Sequence, residues 1–151
     1  MQIKFPAEDV FKNLKKGSVL RFTNDNLEGK GGNVPHFYVL LNTPINGSLI
    51  LVMVHASSKL DRFRSIERSE PVGTLVYVEA NEYTEFRKST VFDCNIITVM
   101  TKENFIEKYN KDQIEIKIDI SISIVCNLQE AVLKSRKVES RFKEIIKKEI
   151  E

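Results

Sequence analysis

The chain has 151 residues, 42% of them hydrophobic and 29% charged, with a formal net charge of +2. That length suits one domain with a sizeable core, and that composition excludes wholesale disorder. The near-neutral total neither demands nor excludes an anionic partner, because a basic groove can hide inside it. The first residues hold no long apolar run and carry Glu8 and Asp9 early, which does not read as a signal peptide. The longest apolar stretch, 49–54, is far short of the roughly 20 residues that span a bilayer. Cys94 and Cys126 lie in no CxxC spacing and near no histidine pair, which argues against a zinc site and for two free thiols. Together these features predict a cytoplasmic protein with no metal, no cofactor and no membrane partner.

Residues 6–17 read as a short helix, with proline and acids at its start, lysines in its last turn and Gly17 beyond. A strand follows at 18–22, then a loop at 23–33 rich in Asn, Gly and charge. Residues 36–41 and 48–54 are nearly continuous apolar strands, expected to be buried on both faces, around a turn that contains Asn46-Gly47. The stretch 57–71 is polar and basic, and 74–78 is the next strand. Two short strands at 89–92 and 96–99 flank Asp93-Cys94-Asn95, and Thr101 then caps a helix reaching Tyr109. Isoleucine at 114, 116, 118, 120, 122 and 124 alternates with polar residues, a period-two strand signal. Ile122, Val125, Leu128, Gln129 and Val132 also suit a helix, so the strand is expected to end near Asp119. Ser121 or Ser123 caps a further helix, and 138–150 is a final amphipathic one. Val39, Leu41, Leu51, Met53, Val76 and Val91 are the expected core. The pattern predicts a single α+β domain over 1–151. Its strand core spans about 17–110, and a C-terminal strand and helices occupy about 113–151.

Four motifs in order then resemble the MazF/PemK toxin family. Gly17-Ser18-Val19-Leu20-Arg21-Phe22 is similar to its Gly-led first strand. Gly32-Asn33-Val34-Pro35, followed by an apolar strand, is similar to its Gly-x-Arg-Pro loop. The run from Leu51 to Lys59, ending His55-Ala56-Ser57-Ser58-Lys59, is similar to the strand ending Pro-(Leu/Ile)-Thr-Ser. Ser89 to Val99 is similar to the later strand pair, with Asn95 in the place of Gln. The resemblance covers roughly 17–109 and rests on order and spacing. It implies a small antiparallel SH3-like barrel of the CcdB/MazF type, with short peripheral helices and a C-terminal helical extension. It also implies metal-independent cleavage of single-stranded RNA by attack of the ribose 2′-hydroxyl, usually by a homodimer, with a cognate antitoxin (RNA or peptide) as a further partner. The alternative within the same barrel class is a non-catalytic module that binds a protein, as CcdB does a topoisomerase, or holds RNA uncut.

The chain departs from the family at one position of the chemistry: Val34 stands before Pro35 where arginine is expected. Ser57 keeps the hydroxyl of the threonine position and Ser58 the serine. The only two histidines adjoin these motifs: His36 lies two residues past Val34 and His55 two before Ser57. Alternation puts each on one strand face with its neighbour, and imidazoles suit acid–base work near neutral pH. His36, Ser57 and His55 are therefore the candidate catalytic residues; a hydrogen-bonded strand end is the bland alternative for each. Lys30, Ser58, Lys59, Arg62 and Arg64 are candidate RNA-binding residues. Phe37, Tyr38 and Phe63 could stack on bases, although aromatics in apolar strands more often fill a core. Asp93 with Glu79 or Glu82 makes no pair that sequence fixes as neighbours.

Overall fold

The computed structural model describes residues 4–24, 32–47 and 49–150. Helix α1 (Ala7–Asn13) begins behind Pro6, carries Glu8 and Asp9 in its first turn, and buries Ala7 and Phe11 one turn apart. It stops at Asn13 rather than running to Lys16, because Leu14 turns extended and its N–H closes on the Phe11 carbonyl. Gly17 takes φ +94°, donates its N–H to the Leu40 carbonyl and accepts from Ile120 N–H. A Cβ there would lie 3.4 Å from Val125 Cγ2, so glycine lets strand and C-terminal segment meet.

The strands are β1 (Val19–Asn24), β2 (Gly32–Leu40), β3 (Ile50–Ser57), β4 (Leu75–Val78), β5 (Thr90–Asp93), β6 (Thr98–Thr101) and β7 (Glu115–Lys117). They form one antiparallel sheet in the order β4-β5-β3-β2-β1-β7, with β6 also paired to β3. β5 and β6 run along one edge of β3 in succession. Their register shifts by three residues across the Cys94–Ile97 segment: Ala56 faces Phe92, whereas Met53 faces Thr98. The expected α+β class and antiparallel sheet are present. The sheet is open, however, with β4 and β7 at its two ends.

Helices cover both sheet faces. On one, α1 and α3 (Lys102–Asn110) pack Phe11, Phe105 and Tyr109 against Leu20, Tyr38, Leu40, Leu51 and Met53. On the other, α4 (Ile122–Lys134) and α5 (Ser140–Ile150) pack Val125, Leu128 and Ile146 against Val19, Val39, Leu41, Val52 and Val54. A closed barrel would fill that second core with strand side chains; here the two C-terminal helices fill it. This two-sided burial is why β2 and β3 read as continuous apolar runs. The expected caps are made: Thr101 Oγ1 accepts from Asn104 N–H and Ser121 Oγ from Ile124 N–H. Among the described residues, no helix is long and apolar enough to cross a membrane.

Three segments differ from the sequence-based expectation. The stretch 57–71, read only as polar and basic with no element assigned, contains a 3-10 turn (Leu60–Phe63) and α2 (Arg64–Ser69). β2 starts earlier than 36, because Gly32 still pairs with Asn24. The isoleucine alternation yields only three strand residues, because the chain there crosses from one core to the other. Ile114 is buried against α1 and α3 and Ile120 against α4, while Ile116 and Ile118 between them are exposed.

Candidate functional site

Strand pairing opens a groove between β2 and β3. Their ladder ends at Tyr38–His55. Beyond that point β2 stays with β1, placing His36 opposite Phe22, while β3 stays with β5, placing Ser57 opposite Val91. Leu41 donates its N–H to the Val52 carbonyl, so odd-numbered residues of β2 turn their amides toward β3. Pro35 falls on that side without an N–H to give, and the ladder cannot continue through it. The resulting groove has a volume of about 1120 Å³. Its walls are Val34 to Phe37 on one arm and His55 to Lys59 on the other, with Phe63, the 84–88 connection, Thr90 and Asp93 completing it.

The two histidines meet there. Their rings stand edge to face, 5.4 Å between centroids and 84° between planes. His36 Nδ1 lies 2.8 Å from the Val34 carbonyl oxygen. A carbonyl only accepts, so Nδ1 carries the proton and Nε2 is the acceptor nitrogen of the neutral ring. His55 is 8% exposed and faces Tyr38 across the ladder, with 5.8 Å between ring centroids. Tyr38 in turn stacks on Phe22 at 4.1 Å, so both expected base-stacking candidates of β2 are otherwise engaged: Tyr38 is core, and Phe37 packs edge-on against Phe86. Burial pushes the Tyr38 phenol up to about 12, against a hydrogen bond from Asn24 that lowers it, so the hydroxyl stays neutral behind His55.

Ser57 Oγ accepts from Lys59 N–H at 3.2 Å, the turn-capping role. That bond uses the Ser57 hydroxyl only as an acceptor, and Ser58 and Lys59 stand exposed at the rim. Arg64 lies outside the groove, where its guanidinium pairs with Asp61 at 3.4 Å. Lys30 and the Arg62 side chain fall outside the described residues. Glu79 and Glu82 form a capping box around the 80–82 turn and do not line the groove with Asp93.

Four groove cations besides Lys59 escaped the sequence reading. Arg87 and Lys88 come from the connection before β5, and among the described residues neither has an ion-pair partner. Their adjacency just ahead of a strand was the available signal. Arg21 and Lys117 come from β1 and β7, and both are held by Glu115, at 3.0 and 2.9 Å. Lys117 hydrogen-bonds Glu115, and together with Arg21 holds its carboxyl below the usual range. These two are therefore partly neutralised, and Lys59, Arg87 and Lys88 carry the uncompensated charge. Among the described residues, no group of three His, Cys, Asp or Glu side chains is placed to hold a metal ion. No protein-family model and no curated protein matches this chain.

Proposed function

We propose that this groove cuts single-stranded RNA by attack of a ribose 2′-hydroxyl on the adjacent phosphate. The contact between the two imidazoles in a cationic groove carries this reading. One imidazole, His36 through Nε2 or His55, takes the 2′ proton as the oxygen attacks phosphorus. The other, protonated, gives its proton to the departing 5′ oxygen, leaving a 2′,3′-cyclic phosphate and a 5′-hydroxyl. Lys59, Ser58 and the Ser57 hydroxyl, which line the same groove, would stabilise the phosphorane charge, the role the resemblance gives to an arginine and a threonine. Both proton transfers are assigned to side chains, so the reaction needs no metal. A cytoplasmic homodimer controlled by an antitoxin belongs to the same proposal.

The second reading, a groove that holds RNA or a protein partner without cutting, draws on one observation. Val34 is 63% exposed at the rim, with no charge or donor at the position where the family places a cation. Incubating purified protein with mixed-sequence single-stranded RNA in chelator separates the two. Fragments ending in 5′-hydroxyl and cyclic phosphate support the nuclease; intact RNA in the presence of measurable binding supports the second reading.

A further inference from the structure

Asp93 is 4% exposed, yet it lines the groove, and among the described residues no cation lies within ion-pair reach of it. Its Oδ1 accepts from the Asn95 backbone N–H and from Asn95 Nδ2, each at 3.0 Å. Asn95 Nδ2 also donates to Thr74 Oγ1 at 3.0 Å, and Thr74 Oγ1 donates to the Pro71 carbonyl at 2.8 Å. That chain fixes the carboxylate. Oδ2 takes no bond from a described residue and is not among the buried atoms sealed off without a partner, so it opens onto the groove. A carboxylate this deep, satisfied on one oxygen only, is poised for a donor from outside the chain.

Beside it lies apolar surface that serves neither core. Phe63 is half-buried, sits on the 3-10 turn that packs against β5, and lines the groove. It belongs to neither hydrophobic cluster, and the same holds for Ile66 and Ile96. An unclaimed aromatic ring, an anchored acceptor and surrounding lysines and arginines fit a planar heterocycle that carries N–H donors and a phosphate. Among the RNA bases, guanine presents two adjacent donors, its ring N1–H and its 2-amino group. Uracil's N3–H lies between two carbonyl oxygens that would meet the carboxylate, and the amino groups of adenine and cytosine each adjoin an unprotonated ring nitrogen. The geometry points to a guanine subsite, with the base stacked on Phe63 and donating N1–H and the 2-amino group to Asp93 Oδ2. This inference rests on the RNA reading of the groove.

The test uses uncleavable, fluorescein-labelled 2′-O-methyl oligouridylates that carry one central guanosine, inosine or adenosine, with binding read by anisotropy. Guanosine should bind the wild-type protein on the order of tenfold tighter than uridine alone, with inosine losing most of that gain and adenosine showing none. Asp93→Asn keeps an Oδ1 acceptor for Asn95 and turns an amide donor to the groove. It should abolish the guanosine preference without lowering oligouridylate affinity, since it removes a negative charge from the groove. Phe63→Ala should also remove the preference. If wild type binds guanosine, inosine and uridine probes equally, and Lys59→Ala weakens all of them, the guanine subsite is overturned and the RNA groove stands. If no probe binds at all, both fall. Should Asp93→Asn fail to fold, the guanosine–inosine comparison on wild type still decides.

Discussion

His36 reaches His55 edge-on across the opening where β2 and β3 part, at 5.4 Å between ring centroids. In the proposed cleavage the two imidazoles act as a unit, one giving a proton while the other takes one. The cleavage rate should therefore rise and fall with pH, since one ring must be neutral and the other charged. His36→Ala should lose about 10²–10⁴ in rate with little change in RNA affinity. The double variant with His55→Ala should lose scarcely more than the worse single one. Single-turnover rates across pH check this, and wild-type cleavage by His36→Ala would refute the acid–base assignment.

Ser57 is tied to the turn it starts, because its Oγ accepts from Lys59 N–H. Ser57→Ala should cost about 0.5–1.5 kcal/mol of stability through that lost bond. It should also loosen Lys59, lowering RNA affinity and rate together but the rate by less than His36→Ala does. Thermal unfolding and anisotropy on the same sample measure both effects. An unchanged affinity would mean that the turn does not position Lys59.

Lys59, Arg87 and Lys88 line the groove, whereas Arg64 pairs with Asp61 outside it. Each alanine substitution at the first three should flatten the slope of log affinity against log salt by about 0.7, one phosphate contact on a single strand. Arg64→Ala should leave the slope as it is. Loss of slope at Arg64 and none at Lys88 would move the RNA track to the other side of α2.

Glu115 works in two opposed directions. Its carboxyl sits below the usual range because Lys117 hydrogen-bonds it, with Arg21 adding to the pull. A depressed folded-state value means that its stabilising contribution is present above the unfolded carboxylate range and lost as pH falls through the folded one. Glu115 is exposed, so Glu115→Gln should cost less than about 1 kcal/mol. The same change frees Arg21 and Lys117, and oligonucleotide affinity should rise at low salt. A fall in affinity would show that Glu115 orders those cations rather than masking them.

The parts of the fold that were legible are those where one physical rule dominates. β2 and β3 are buried on both faces, so their apolar runs stood out, and Thr101 and Ser121 announced the helices they cap. α2 went unread because a helix of six residues shows no full apolar period, and its sequence is polar and basic. The isoleucine series misled because alternation reports a strand only while one face stays buried, and here the chain changes faces between Ile114 and Ile120. At the site, motif order placed His36, His55 and Ser57 on one groove, while Arg21, Lys117 and Asp93 arrive from strands whose neighbours only pairing defines. Pro35 was visible throughout; that its missing N–H falls on the β3 side becomes plain only once the parity of β2 amides is known.

The two-sided burial of β2 and β3 also governs how the imidazole pair responds to heat. Sliding one strand by a single residue would turn His36 away from His55, but it would equally turn Val39, Leu40, Val52 and Met53, each fully buried, toward the wrong helices. The alignment of the imidazoles is thus held by the cohesion of both cores as well as by the contacts the rings themselves make. In hydrogen exchange, the Val39 and Val54 amides should open only with the whole domain, and cleavage should persist on warming until the chain melts cooperatively.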